Sequence, residues 1–101
     1  MSEVKPKETL MRLAWIAALR REGHRKCTGE YQSGFGKVCA LGLLAEVAGK
    51  KVDGLTRIDE VGGWAGLDFM ASARVMNMND GVGQPKRTFS EIAGWLEGGA
   101  P

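Results

Sequence analysis

The segment SGFGK, residues 33–37, is the stretch of this chain that most resembles a phosphate-binding loop. A glycine turn, a lysine and the N-terminus of a helix can together hold an anion. A Walker loop, however, requires G-x-x-x-x-G-K-[ST], and here Tyr31 stands in place of the first glycine and Val38 in place of the hydroxyl residue. Two interpretations remain: a weaker anion-binding turn, or a turn that only leads into a helix.

A second candidate for chemistry is the spacing H-x2-C-x11-C formed by His24, Cys27 and Cys39. Zinc takes four protein ligands, or three and a water, and the chain has no other histidine or cysteine. A small buried thiol is the ordinary explanation for Cys39 at the start of an apolar helix. Because the chain lacks a further histidine or cysteine ligand, the sequence predicts no metal. Nothing near His24 suggests a group that would orient it for Cys–His catalysis, so the sequence also predicts no catalytic site, and it predicts no cofactor.

Basic residues gather around the glycine-rich segment 23–37. Positive charges and an aromatic side chain on such a loop suit the binding of phosphates and the stacking of a base. We therefore expect a surface that binds an anionic, nucleotide-like molecule or a host protein, although a solvated loop is the alternative. The candidate binding residues are Arg20, Arg21, Arg25, Lys26, Tyr31 and Lys37, with Phe35 nearby. The methionine-containing stretch 70–78 is a second candidate surface.

Helical patterns position these residues. The first helix has Pro6 in its first turn, ends at Gly23 and carries apolar residues over most of its circumference, which predicts a central place in the core. The narrow opposite side of this helix holds Thr9, Arg12, Ile16 and Arg20. A second begins near Val38 and stops at Gly49, so that its free N–H groups point toward the basic loop. Shorter helices are expected from about residue 59 and over 69–80. A capping box at 88–91 predicts the last helix.

The overall prediction is one mainly α domain over residues 1–101, with four to five helices and room for one short β-hairpin in the glycine-rich loop. Fourteen basic and twelve acidic residues give a formal charge of +2, which does not require a nucleic-acid partner. Two cysteines and no recognisable signal favour a reducing cytoplasm. The longest apolar run, 38–45, is far shorter than the ~20 residues of a membrane span.

Several of these pieces together resemble a family of small, largely uncharacterised proteins encoded by bacteriophages and prophages. The family motifs W-x-x-A-L-R, Y-C-C-L-G-V-L-C and L-N-D…S-F-x-E-I-A-x-W/Y-I-E correspond here to residues 15–20, 38–46 and 78–97, with a tyrosine, glycine and lysine loop at 31–37. The chain departs from the pattern in having Cys39-Ala40 for the paired cysteines and Val38 for the preceding tyrosine. The resemblance implies a viral accessory protein made inside a bacterium.

We accordingly expect a non-catalytic, phage-encoded protein in the cytoplasm of a bacterial host. It would bind and inhibit or sequester a host component, either a defence protein or a nucleotide signal. The alternative is a small nucleic-acid-binding protein that uses the basic loop surface. No membrane partner is expected, and homo-oligomerisation stays open.

Overall fold

A computed structural model describes residues 6–33 and 36–98 of the chain. Within these ranges it contains five α-helices: α1 (Pro6–Arg21), α2 (Ala40–Ala48), α3 (Ile58–Gly63), α4 (Phe69–Asp80) and α5 (Phe89–Glu97). A short 3-10 turn, Gly23–Arg25, follows α1. The predicted mainly α domain is confirmed.

The core lies where α1 packs against α2 and α5, and where α3 and α4 pack against each other and against α2. Trp15 of α1 is fully buried, and its indole Nε1 donates a hydrogen bond to the carbonyl of Ala40 at 2.8 Å. This bond ties the centre of α1 to the first turn of α2 and satisfies the polar end of a large apolar side chain. The other largest buried apolar side chains come from all five helices: Leu19, Leu41, Leu43, Leu44, Val61, Val75, Phe89 and Ile92.

The ends of three helices follow from the sequence. Thr88 and Glu91 form the predicted capping box, in which each side chain accepts a hydrogen bond from the other residue's backbone N–H. Gly49 ends α2 and Gly81 ends α4, both with a positive φ that a glycine adopts without steric cost. The start of α2 differs from the prediction, because Val38 pairs with Lys26 and Gln32 in two isolated β-bridges and the helix begins at Ala40.

These two bridges are the β-structure found in residues 6–33 and 36–98, so the glycine-rich loop forms no hairpin within the described part of the chain. The bridges hold the loop against the start of α2, and the loop passes very close to the helix. A Cβ built on Gly42 would collide with the carbonyl oxygen of Tyr31. Glycine at this position therefore permits the close approach.

The predicted central position of α1 is wrong for one of its faces. Leu10 and Leu13 are 67% and 58% exposed, and Ala14 and Ala17 on the same face are also exposed. Conversely, Ile16 is buried, although the pattern placed it on the uncovered side. The reason is tertiary: α2 and α5 cover α1 from one side only, and the apolar arc is wider than the surface that they cover. No helix in the described residues has the length and hydropathy of a membrane span.

Candidate binding site

The predicted binding loop is held in place by its own basic residues. The Arg25 guanidinium donates two hydrogen bonds to the Glu46 carboxylate at 2.7 and 2.9 Å, one to Glu22 and one to the carbonyl of Gly36. Hydrogen bonding to Arg25 holds the pKa of Glu46 below its usual value and raises that of Arg25 itself. Arg25 is thus a bidentate anchor between the loop and α2 rather than a free cation.

The two lysines of the predicted site also have intramolecular partners. Lys26 Nζ donates to the carbonyl of Asn79 at 2.8 Å, and burial lowers the pKa of this ammonium, with Lys86 adding a smaller effect of the same sign. Lys37 is exposed, and its Nζ donates to the carbonyl of His24 at 2.8 Å. Both ammonium groups therefore use an N–H donor in a hydrogen bond to a backbone carbonyl of the protein itself.

Arg20 and Arg21 lie outside the loop, at the end of α1. Arg20 forms a bidentate pair with Glu97 of α5 at 2.8 and 2.9 Å, and Arg21 pairs with the adjacent Glu22 at 3.2 Å. Tyr31 is half-buried and donates its hydroxyl to the carbonyl of Thr56 at 2.6 Å, and burial raises its pKa. The six predicted residues do not converge on one unpaired cationic surface. Phe35, like Gly34, lies outside the described residues.

The N-terminus of α2 is not open to an anion, which corrects the expected orientation of its N–H groups. The backbone N–H of Ala40 donates to the side chain of Asn79 at 3.0 Å, and that of Gly42 donates to the sulfur of Cys39. Both residues are buried. Because internal acceptors already occupy these donors, an anion would have to displace the packing of α4 to reach them.

Asn79 is the centre of this arrangement, and it is 1% exposed. Its side-chain Nδ2 donates to the carbonyl of Cys27 at 2.9 Å and to the Asp80 carboxylate at 2.8 Å. Together with the bond from Ala40, these contacts join α4, the start of α2 and the loop. The sequence indicated only that Asn79 and Asp80 terminate a helix. The structure assigns to Asn79 a buried, fully bonded position as well.

The loop held in this way forms one wall of a pocket of about 410 Å³, which we call the Tyr31 pocket. Its volume is within the range of small-molecule sites. The segment 52–58, α2 and α4 contribute further parts of the lining. The lining residues are Gly29, Glu30, Tyr31, Gln32, Cys39, Leu41, Val52, Asp53, Gly54, Thr56, Ile58, Met76 and Asp80.

The charge of the Tyr31 pocket is opposite to that of the whole chain. Among the described residues, its lining includes the carboxylates of Glu30, Asp53 and Asp80 and no lysine or arginine, whereas the chain carries +2. Asp53 Oδ1 accepts from the backbone N–H of Leu55 and closes a turn, and Asp80 Oδ1 accepts from the backbone N–H of Gly29. The described lining therefore combines apolar side chains with three carboxylates.

Both cysteine thiols have raised pKa values, and the potential metal ligands of the described residues are not grouped together. Burial raises the pKa of the Cys39 thiol to about 11, so that it is protonated at neutral pH. Cys27 is half-buried, its pKa is also raised by burial, and its thiol contacts the carbonyl of Glu30 at 3.6 Å. Across the described ranges, no three His, Cys, Asp or Glu side chains are grouped to hold a metal ion.

Part of the pocket could be anticipated from the sequence and part could not. Tyr31 was singled out, and Met76 belongs to the methionine-containing stretch, in which Met70 is exposed and Met78 buried. The segment 52–58 carries no periodic pattern, and its one local signal is the Asp53-Gly54 dipeptide, which marks a turn. Comparison with protein-family models, curated proteins and solved structures finds no match to this chain.

Proposed function

We propose that this chain is a non-catalytic binding protein that captures its partner in the Tyr31 pocket. The observation that carries the proposal is the pocket's construction: one wall is a loop fixed to the body of the protein by Arg25, Lys26 and Asn79. A wall held by side-chain bonds to α2 and α4 keeps its shape before a ligand arrives, which lowers the entropic cost of binding.

The contents of the pocket support binding rather than catalysis. The one thiol of the described lining belongs to Cys39, whose raised pKa disfavours the nucleophilic thiolate. The two hydroxyls of this lining are bonded within the protein: Tyr31 donates to the carbonyl of Thr56, and Thr56 Oγ1 accepts from the backbone N–H of Asp53 and donates to Asp53 Oδ1 at 3.3 Å. His24 does not line the pocket. The described lining thus offers shape, apolar surface and charge, with its hydroxyls already engaged in the turn and the loop that form it.

The biological setting extends the proposal. The resemblance to small phage and prophage proteins supports a role as an accessory protein in the cytoplasm of an infected bacterium. There it would inhibit or sequester a host component by holding part of it in the pocket. The partner is then a host protein or a small signalling molecule. Catalysis, a cofactor and a membrane are not part of this proposal.

A variant in which a large side chain fills the Tyr31 pocket tests the proposal directly. Gly54 lines the pocket, has an ordinary φ and has no neighbouring atom within 4 Å of a built Cβ, so Gly54→Phe can fill the space without strain. Gly94 of α5 is equally open but lies outside the pocket, and Gly94→Phe is the matched control.

The experiment is affinity capture from bacterial lysate with the wild-type chain and both variants, followed by identification of proteins and small molecules. We expect one partner to be enriched by the wild type and by Gly94→Phe and lost with Gly54→Phe. A partner that Gly54→Phe retains would show that capture takes place elsewhere. Equal melting temperatures of the three proteins establish that the loss is not due to unfolding.

Nucleic-acid binding through the basic residues is the alternative proposal. Arg20, Arg21 and Lys37 are exposed and would carry it. Such binding weakens steeply with salt because neutralised phosphates release counterions. If random-sequence DNA binds with a steep salt dependence that Lys37→Glu reduces, while Gly54→Phe has no effect, the alternative is correct and the pocket proposal is not.

A further inference from the structure

We infer that the ligand of the Tyr31 pocket is a positively charged alkylammonium or alkylguanidinium group. The inference rests on the proposed binding in this pocket and reverses the charge expected from the basic loop. Two sources share this chemistry: a lysine or arginine side chain of a partner protein, and a free polyamine.

The apolar part of such a group matches the apolar side chains that line the pocket. Leu41 is buried, and Val52, Ile58 and Met76 are partly buried hydrophobic residues that pack against the core. An aliphatic chain of four or five carbons placed there removes apolar surface from water on both sides. The volume of about 410 Å³ accommodates one such chain.

The charged part of the group matches the carboxylates of the lining. Glu30, Asp53 and Asp80 all line the pocket, and no described part of the lining carries a cationic side chain. The Lys26 ammonium lies behind the wall, bonded to the carbonyl of Asn79, and offsets part of the negative charge of Asp80. Since the lining as a whole keeps an excess of carboxylates, a cation is attracted and an anion of the same size is repelled.

The three carboxylates differ in how freely they can pair with a ligand. Asp80 and Asp53 each use one oxygen to accept a backbone N–H within the described structure. Glu30 is exposed, and no side-chain hydrogen bond or ion pair is found for it among the described residues. Glu30→Gln is therefore the substitution that removes charge with least effect on the fold. Asp53→Asn comes second, because an amide oxygen can still accept the bond from Leu55.

A series of probes that differ only in charge tests the inference: pentylammonium, pentanol and pentanoate. Binding is followed by NMR titration of the ¹⁵N-labelled protein, with the backbone amides of Tyr31, Thr56 and Met76 as reporters. We expect affinity to fall from pentylammonium to pentanol to pentanoate. Glu30→Gln and Asp53→Asn should each weaken pentylammonium about 1.5- to fivefold, as expected for a partly exposed ion pair, and leave pentanol unchanged.

The control removes a carboxylate far from the pocket. Glu97→Gln breaks an exposed pair with Arg20 at the end of α5 and should change none of the three affinities. Pentanol bound as tightly as pentylammonium, or pentanoate bound more tightly, would overturn the inference about charge and leave pocket binding intact. If none of the probes shifts the reporter amides, both the inference and the proposed function are wrong.

Two further ligands distinguish the sources. Acetyl-Gly-Lys-Gly-amide presents a lysine side chain on a peptide backbone, and spermidine presents an extended polyamine. Tighter binding of the peptide than of pentylammonium supports a protein partner, and tighter binding of spermidine supports a polyamine. Failure of both to bind a pocket that accepts pentylammonium would overturn both assigned sources.

Discussion

Replacing Asn79 by alanine should destabilise the protein more than any other single loss of a polar side chain that we consider. The substitution leaves the backbone N–H of buried Ala40 and the carbonyl of Cys27 without their partner, and Asp80 loses a donor. Each buried group left unsatisfied costs about 1–3 kcal/mol. Two such groups give about 2–6 kcal/mol, a large fraction of the stability of a domain of this size.

For a domain of about 100 residues, 1 kcal/mol corresponds to a shift in melting temperature of roughly 4–8 °C. We therefore expect Asn79→Ala to lower Tm by roughly 8–48 °C, measured by circular dichroism and checked by urea unfolding. Asn77, on the same helix, is half-buried, and its side chain forms no hydrogen bond to the described residues. The matched control Asn77→Ala should cost less than about 1 kcal/mol.

The substitution should also loosen the pocket wall before it unfolds the chain. Without the bond from Asn79 Nδ2, the segment from Cys27 to Gln32 is held at that end mainly by its backbone bridges to Val38. Amide hydrogen exchange should accelerate at Cys27 and change little in α5. Equal melting temperatures for Asn79→Ala and Asn77→Ala would refute the argument that Asn79 joins the loop to the helices.

The remaining predictions concern packing, charge and metal content. Leu96→Ala should lower the free energy of unfolding by ~2–5 kcal/mol, because Leu96 is buried, whereas loss of the Thr88 cap in Thr88→Ala should lower it by only ~1 kcal/mol. An unchanged Tm for Leu96→Ala would contradict the packing of α5. Arg25→Glu should lower Tm more than Arg25→Gln, because it places a third carboxylate beside Glu22 and Glu46. Equal Tm values for these two variants would show that the charge at position 25 is unimportant for stability. The pKa of Glu46 is lowered on folding, so the contribution of this carboxylate to stability is complete above its ordinary pKa of 4.5 and is lost as the pH falls below that value. Between pH 5 and 3, the free energy of unfolding should therefore depend less on pH in Arg25→Gln than in the wild type. Elemental analysis after dialysis should find no stoichiometric zinc, and one zinc per chain would contradict this.

The exposure of Arg25 expected from the sequence differs from that found in the structure. From the sequence, Arg25 and Lys37 were both expected to lie on an exposed binding surface. In the structure Arg25 is half-buried between two carboxylates, and Lys37 is exposed as expected. Of these two residues, Lys37 is therefore the one whose charge can be reversed without breaking an ion pair of the described fold.

Local sequence signals determined the helices and most of their ends. The capping box at Thr88 and Glu91 and the glycines at 49 and 81 act over a few residues, and such short-range geometry does not depend on the rest of the fold. Apolar spacing likewise located α2 and α5. The start of α2 was placed two residues early, because the bridges that hold Val38 in extended backbone come from Lys26 and Gln32, which are distant in sequence.

The tertiary structure alone decided which charges are free and where the pocket lies. Arg25 and Glu46 are 21 residues apart and Lys26 and Asn79 are 53 apart, and no periodic pattern reports such pairings. The basic residues therefore look like a binding surface in the sequence, yet in the fold they anchor a loop whose other side forms the wall of an acidic pocket. Charge composition is a property of the chain, but the field that a ligand meets depends on which charges the fold has already paired.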